Sequence, residues 1–161
     1  MLRESCEASP VSNPDTRNPD TRNLDTHKKL TQAFRARDWA AAALPFSPDV
    51  VFVDHPRGEV IKGVEGVVEH SRRAAVAFSD VHVEEERFYD AGDHTIAVFE
   101  GRGVNDGELI PGVPPTHRPM RMTICEILHY DADGRVVGGE YFYDALSQLA
   151  QLGLIEPPTA P

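Results

Sequence analysis

The fold is decided by the segment from Asp131 to Gly153, which reads DADGRVVGGEYFYDALSQLAQLG. Its pattern predicts a polar turn, then a strand, then a short helix that closes on the final Leu-Gly pair. Residues two apart in a strand share a face, so Tyr141 and Tyr143 point to one side of the sheet. Their neighbours point to the other side: Glu140, Phe142 and Asp144. We therefore expect two phenols and two carboxylates near a pocket, but not all on one wall.

The chain before this segment places helices first and strands afterwards. A helix is expected to begin at Asp25 or Thr26, and Asp38 is expected to cap a short Ala-rich helix. The predicted strands are 50–53, 59–62, 81–84, 95–99, 120–130 and 136–143, with a helix over 64–78 between the second and third. Helices followed by strands joined through turns indicate an α+β fold with an antiparallel sheet.

Length and composition indicate one domain, since 161 residues with 40% hydrophobic content suffice for a single core. Residues 13–27 are three copies of a pentapeptide with no large apolar residue before Leu24. Such a segment has little to bury, so 1–24 is predicted to be a disordered leader. The domain is expected over 25–156, with 157–161 as a tail.

The net charge of −10 disfavours nucleic acid as a partner, because a phosphate backbone would be repelled. No secretory signal precedes the domain, and no window approaches the roughly 18 apolar residues of a membrane span. Cys6 and Cys125 have neither metal-ligand spacing nor a disulfide framework. These features predict a cytoplasmic protein with reduced thiols that does not enter a membrane.

A long loop, 103–118, separates two of the predicted strands. It contains three glycines, three prolines and the apolar island Leu109-Ile110-Pro111. A loop of this length in a compact domain is either disordered or covers a site. The embedded apolar residues favour the cover.

The order of elements and several local residues resemble the nuclear-transport-factor-2-like superfamily, in its polyketide-cyclase-like (SnoaL-like) branch. The resemblance covers about residues 27 to 156 and rests on short matches in sequence order. These are Asp38-Trp39, Phe52-Val53-Asp54, Lys62-Gly63, Pro114-Pro115-Thr116, Asp133-Gly134-Arg135-Val136, Tyr143-Asp144 and Gln151-Leu152-Gly153.

The resemblance implies a cone: a strongly bent, mostly antiparallel sheet wrapped over N-terminal helices and enclosing an apolar cavity. It implies a small hydrophobic molecule as partner and a homodimer packed through the outer face of the sheet. Members include polyketide ester cyclases, ketosteroid isomerases, dehydratases and epoxide hydrolases, generally with no metal or organic cofactor. Other members only bind or assemble.

The resemblance also identifies a departure at Tyr141. In the cyclase and epoxide-hydrolase relatives, the catalytic Asp lies three residues before the position that matches Asp144, and here that position is Tyr141. A phenol with an ordinary pKa of about 10 donates hydrogen bonds at neutral pH and does not act as a base. Tyr141 either stabilises an oxyanion or packs as a half-buried aromatic residue.

Other polar residues are candidates for the missing chemistry. Glu100 and Arg102 share a strand face and resemble a polar pair that relatives place inside the cavity; the alternative is an exposed surface pair. Asp54 and His55 end a buried strand where isomerase-type relatives place a base, but only one of the two can face inward. Asp144 sits where strand gives way to helix, so it either caps the helix or takes part in the chemistry.

We therefore predict a cofactor-independent enzyme that moves a proton on a hydrophobic carbonyl-bearing or polycyclic substrate. The predicted catalytic residues are His55, Glu100, Arg102 and Tyr141. The predicted substrate-binding residues are Asp54, Tyr143, Asp144, Phe52, Leu109 and His117, the last at a position where relatives usually carry glycine. The alternatives are a non-catalytic ligand-binding or dimeric assembly module and an epoxide hydrolase. No metal is expected, because the calcium-like pattern from Asp131 to Glu140 is flanked by strands and fits a hairpin turn.

Overall fold

The computed structural model describes residues 21–156, so the predicted leader up to residue 20 and the tail 157–161 lie outside the described residues. The helices are α1 (Arg22–Ala36), α2 (Trp39–Ala43), α3 (Gly63–Ala77) and α4 (Ala145–Gln151). The strands are β1 (Phe46–Asp54), β2 (Glu59–Lys62), β3 (His82–Asp90), β4 (His94–Val104), β5 (Pro119–Tyr130) and β6 (Val136–Tyr143).

The six strands form one sheet in the order β2-β1-β6-β5-β4-β3. Neighbouring strands run antiparallel except β1 and β6, which are parallel. The sheet is curled, and its inner face packs against α1 and α3. The predicted α+β class with a mostly antiparallel, bent sheet is thus confirmed.

The core lies between α3 and the inner face of β1, β5 and β6. Phe52 is 1% exposed and packs edge-on against Phe46, with ring centroids 5.8 Å apart. The Phe52 ring occupies the space above Gly139 on the neighbouring strand: a Cβ built there would lie 2.2 Å from a ring carbon. Glycine at position 139 is therefore what allows a phenylalanine to anchor the core.

Two predicted caps are confirmed. The Asp38 carboxylate accepts a hydrogen bond from Ala41 N–H at 3.0 Å at the start of α2. The Asp144 carboxylate accepts one from Ser147 N–H at 2.9 Å at the start of α4. Helix α1 begins at Arg22, before the expected start at Asp25. The domain boundary at residue 25 stays a prediction.

The turn between β5 and β6 is the predicted hairpin. The Asp131 carboxylate accepts hydrogen bonds from Asp133 N–H at 3.0 Å and Arg135 N–H at 2.8 Å. Gly134 adopts a φ of +79°, a conformation that favours glycine. The Asp131 carboxylate of the calcium-like pattern thus binds the backbone of its own turn.

The loop between β4 and β5 is held at its base by Asn105, which is 2% exposed. Its amide donates to the carbonyls of Ala77 at 3.1 Å and Gly107 at 2.8 Å. Its side-chain oxygen accepts from Thr116 N–H at 2.9 Å and from the Thr116 hydroxyl at 3.1 Å. The loop is therefore tied to the end of α3, as expected of a cover. Within residues 21–156, no helix is long and apolar enough to span a membrane.

Candidate functional site

A cavity of about 460 Å³ lies between the inner face of the sheet, α1, α3 and the β4–β5 loop. Its walls are mainly apolar and aromatic side chains: Leu30, Phe34, Trp39, Phe78, Phe99 and Met122. The loop contributes Leu109 and Pro111, so the predicted cover lines the cavity. The volume falls within the roughly 300–1,000 Å³ of small-molecule sites.

The polar residues of the cavity form a row across three neighbouring strands. Asp54 of β1 is in register with Tyr141 of β6, and Tyr141 is in register with Glu126 of β5. All three side chains line the cavity. Because neighbouring strands lie about 4.8 Å apart, the row places a phenol between two carboxylates at the same depth of the sheet.

Asp54 is the carboxylate of this row whose oxygens already accept hydrogen bonds from neighbouring residues. Its side chain is 2% exposed, and both oxygens accept from the Tyr143 hydroxyl, at 3.1 and 3.0 Å. One oxygen also accepts from Arg57 N–H at 3.2 Å. The Arg57 guanidinium in turn donates to the Tyr143 hydroxyl at 3.1 Å. These contacts leave little of Asp54 for a substrate and suit it to holding its neighbours in place.

Both phenols of the cavity remain protonated at neutral pH. Burial raises the pKa of Tyr143 to about 12. Burial, reinforced by the Glu126 carboxylate, raises the pKa of Tyr141 well above its ordinary value of 10. The Tyr141 side chain lies next to those of Glu126 and Ser71. Each tyrosine is therefore a hydrogen-bond donor.

His70 of α3 completes the polar group. Its ring stacks on Tyr141, with centroids 5.4 Å apart and planes 18° from parallel. Its Nε2 lies 3.6 Å from the Asp54 carboxylate. Burial lowers the pKa of His70 below 6.5, and Asp54 and Glu59 only partly oppose this. His70 is therefore a neutral polar wall at pH 7.

Glu126 is the second carboxylate of the row, and fewer hydrogen-bond donors surround it than surround Asp54. Its side chain is 17% exposed, and one oxygen lies 3.4 Å from Nε2 of His27, a residue of α1 that is 0% exposed. Beside it stands the Tyr141 hydroxyl. Of the two carboxylates in the row, Glu126 has the more exposed side chain, 17% against 2% for Asp54.

His55 lies on the outer face of the sheet, opposite the cavity. Its Nε2 lies 2.7 Å from the Glu140 carboxylate. Nε2 of His129 lies 3.0 Å from the same carboxylate. Its ring stacks on Phe142, with centroids 4.3 Å apart. Only one of Asp54 and His55 faces inward, as expected, and that residue is Asp54. The expectation that His55 acts within the cavity was therefore wrong.

Glu100 and Arg102 share a face of β4, as expected, but it is the outer face. Arg102 donates to Glu84 at 2.6 Å, and Glu100 pairs with Arg121. Phe99 and Gly101 of the same strand line the cavity, so the residues that alternate with them point away from it. The placement of this pair inside the cavity was wrong, and the surface-pair alternative describes its geometry.

Some of the predicted binding residues line the cavity, and others do not. Asp54, Tyr143 and Leu109 line the cavity, and Phe52 lies in the core beneath, 5.4 Å from the Tyr141 ring between centroids. Asp144 is exposed and caps α4, bonding Ser147 rather than lining the cavity. His117 is exposed, with a φ of +55°. That left-handed conformation favours glycine, and here a histidine adopts it.

Glu126 and His70 are site residues that the sequence interpretation missed although the sequence carries a signal for each. In β5, Glu126 falls at an inward position of an alternating apolar series: Met120, Met122, Ile124, Leu128 and Tyr130. A carboxylate at that phase marks a cavity. His70 lies three residues after Val67, on the buried face of α3, so its helical phase was equally informative.

Comparison with known proteins identifies the family and the fold. The family model of the SnoaL-like polyketide cyclases matches residues 25–152. IdmH from Streptomyces antibioticus, described as a candidate polyketide cyclase, is 27% identical, with a TM-score of 0.68 over 81% of this chain and 98% of its own. A search of curated proteins gives no significant match.

Two further solved structures show the fold. A candidate SnoaL-like polyketide cyclase from Jannaschia sp. CCS1 is 22% identical, with a TM-score of 0.72 over 96% of this chain and 100% of its own. A protein from Catenulispora acidiphila with a ketosteroid isomerase-like fold, solved with trimethylamine, is 24% identical, with a TM-score of 0.66 over 84% and 98%. The chain belongs to the SnoaL-like polyketide cyclase family, and its fold is the cone of the nuclear-transport-factor-2-like proteins.

Proposed function

We propose that this protein is a cofactor-independent enzyme that moves a proton on a hydrophobic, carbonyl-bearing substrate, in an isomerisation, cyclisation or dehydration. The observation that carries the proposal is the row of Asp54, Tyr141 and Glu126 facing an apolar cavity. Membership of the SnoaL-like family supports it at the level of the fold and general chemistry.

Glu126 is the proposed proton-transfer group. The family resemblance places the catalytic carboxylate at the position of Tyr141, and Glu126 stands in register beside that position on the next strand. The carboxylate has thus moved one strand across the sheet while keeping its depth in the cavity. In the proposed reaction, Glu126 takes the hydrogen from the carbon next to the substrate carbonyl.

Tyr141 is the proposed donor to the developing oxyanion. Its raised pKa keeps the phenol protonated, so it donates to an enolate oxygen and does not compete with Glu126 as a base. Tyr143 and the neutral His70 extend the same polar wall toward Arg57. A donor beside a base is the minimum equipment for proton transfer next to a carbonyl.

The cavity walls support a hydrophobic substrate class. Aromatic and aliphatic side chains surround a volume of about 460 Å³, and the polar groups converge on one side. This combination favours a ligand with an apolar body and one or two oxygen functions. A polycyclic ketone fits the description.

The test is a thermal-shift screen of polycyclic ketones, lactones and epoxides, followed by turnover assays on each ligand that binds. We expect conversion of a ketone or lactone by the wild-type protein and loss of that conversion in Glu126→Gln. Glu100→Gln is the matched control, because Glu100 lies on the outer face. Binding without conversion of any ligand would establish the non-catalytic alternative, which the replacement of the family Asp by Tyr141 favours. Opening of epoxides alone would establish a hydrolase.

A further inference from the structure

A buried chain of hydrogen-bonded side chains leads from the cavity carboxylate to the first turn of α1. His27 Nε2 lies 3.4 Å from the Glu126 carboxylate, and its Nδ1 lies 2.7 Å from the Thr95 hydroxyl. That hydroxyl lies 3.0 Å from the Tyr130 hydroxyl, which donates to the Asn23 carbonyl at 2.9 Å. His27 and Thr95 are 0% exposed and Tyr130 is 6% exposed, so water does not interrupt the chain.

The carbonyl at the end of the chain fixes the direction of every hydrogen bond in it. A backbone carbonyl only accepts, so the single proton of Tyr130 is used on Asn23. Thr95 must then donate its own proton to Tyr130, and its oxygen is left to accept from His27. The Nδ1 atom of His27 therefore carries a proton.

With Nδ1 protonated, the remaining nitrogen of His27 has two allowed states. Nε2 is either bare, in which case Glu126 must be protonated to bond to it, or protonated, in which case it donates to an ionised Glu126. In both states one proton lies between the two residues. Two lone pairs facing each other in a buried site would cost free energy instead.

We propose that His27 is a positioning residue for Glu126. Thr95, Tyr130 and the Asn23 carbonyl keep Nδ1 of His27 protonated. Because of this, Nε2 of His27 shares one proton with the Glu126 carboxylate. The proposal deepens the proposed function of Glu126 and rests on it for its catalytic meaning. The shared proton engages the Glu126 oxygen that faces His27. A substrate proton is then exchanged at the other oxygen, which orients the carboxylate in the cavity.

A residue that only fills space beneath the cavity would behave differently. His27 also packs its ring edge-on against Phe88, with centroids 5.4 Å apart and planes at 78°. That contact constrains the ring plane but is indifferent to which nitrogen carries the proton. The state of the two nitrogens therefore separates a positioning role from plain packing.

The test is nitrogen-15 NMR of the full-length protein with labelled histidine rings, combined with carbon-13 shifts of the glutamate carboxyls, at neutral pH. The spectrum of His27→Asn assigns the His27 signals among the seven histidines by their absence. We expect Nδ1 to be protonated, together with either a protonated Nε2 or a protonated Glu126 carboxyl. A bare Nδ1, or a bare Nε2 beside an ionised Glu126, would overturn the proposal.

A variant far from the cavity sharpens the test. Tyr130→Phe removes the hydroxyl that accepts from Thr95, so Thr95 becomes free to donate to Nδ1. We expect His27 to shift toward the form protonated only at Nε2, with Glu126 ionised. Tyr89→Phe is the control, because Tyr89 is 49% exposed, and it should leave the His27 signals unchanged. An unchanged His27 in folded Tyr130→Phe would contradict the coupling; if that variant does not fold, the wild-type spectrum still decides.

These readouts do not depend on turnover. If Glu126→Gln retains full activity on a substrate, the proposed function fails while the NMR result stands. If His27 shows the opposite protonation and Glu126→Gln is inactive, the inference fails and the proposed function stands. The two claims are thus separately falsifiable.

Discussion

Tyr141 stands where the family resemblance places a catalytic carboxylate, and Glu126 is in register beside it on the next strand. A carboxylate at its position would lie within the same row as Asp54 and Glu126, and three acids side by side would repel one another. With a phenol there, the row alternates acceptor, donor, acceptor. The loss of the family Asp is therefore compatible with catalysis, provided that Glu126 acts.

Replacing Tyr141 by Phe removes the donor and keeps the ring that stacks on His70. We expect turnover to fall by about 10²–10³-fold, the range for loss of one oxyanion donor, with little change in ligand affinity. Steady-state kinetics with the first converted ligand measure this. Tyr89→Phe on the exposed surface serves as control, and equal turnover in both variants would contradict the donor role.

We expect His70 to make the stability of the protein depend on pH. Its folded-state pKa is lowered below 6.5 by burial, so the unfolded chain binds more protons between the two values. The contribution of His70 to stability is present above about pH 6.5 and is lost as the pH falls through its folded pKa. Urea denaturation measures the free energy of unfolding at pH 7.5 and at pH 5.5. Between these two pH values it should fall less in His70→Gln than in wild type. His82→Gln, on the exposed end of β3, should match wild type; a His70→Gln loss as large as that of wild type would refute the assignment.

At the scale of elements, the sequence predicted each helix and strand but not the facing of every strand. The caps Asp38 and Asp144 are local signals, because a side chain bonds its own next turn. The local sequence of β4 does not show which of its faces points inward. Ile96 and Val98 lie on the outer face and are as apolar as Ala97 and Phe99 on the inner face. Only pairing with β5 sets which side faces the cavity, and for that reason Glu100 and Arg102 were misplaced.

The β4–β5 loop depends on one buried amide. Asn105→Ala removes the donors for two carbonyls and the acceptor for Thr116. We expect a loss of about 1–3 kcal/mol in the free energy of unfolding, because buried polar groups lose their partners. Urea denaturation measures the loss, and limited proteolysis should show earlier cleavage in 105–118. Glu108→Ala, exposed in the same loop, should leave both measurements unchanged; a neutral Asn105→Ala would contradict the tie.

At the scale of the whole molecule, the curled sheet separates two polar systems that the sequence does not distinguish. The inner face carries Asp54, Tyr141 and Glu126, whereas the outer face carries His55, Glu140 and His129. Alternation along each strand creates the division, but curvature decides that only one face encloses a volume. A cavity is a property of the assembled sheet, so its polar lining was only partly predictable.

The homodimer through the outer face stays a prediction. Val51, Val137 and Phe142 are each 38–39% exposed on β1 and β6, which supports an apolar contact there. Phe142→Glu should convert a dimer into a monomer, as measured by size-exclusion chromatography with light scattering. Leu44→Glu is the control, because Leu44 is 78% exposed at the end of α2. A wild-type monomer at micromolar concentration would refute the prediction.

The central claim is that Glu126 moves a proton on a carbonyl compound in the cavity, and deuterium exchange tests it without knowledge of the product. A ketone that binds is incubated with protein in heavy water, and mass spectrometry follows deuterium entry at the carbon next to the carbonyl. We expect wild type and Glu100→Gln to catalyse exchange, and Glu126→Gln to be slower by about 10²–10⁴-fold, the usual share of a general base. Exchange in Glu126→Gln at the wild-type rate, or no exchange above buffer with the bound ketone in wild type, would contradict the account.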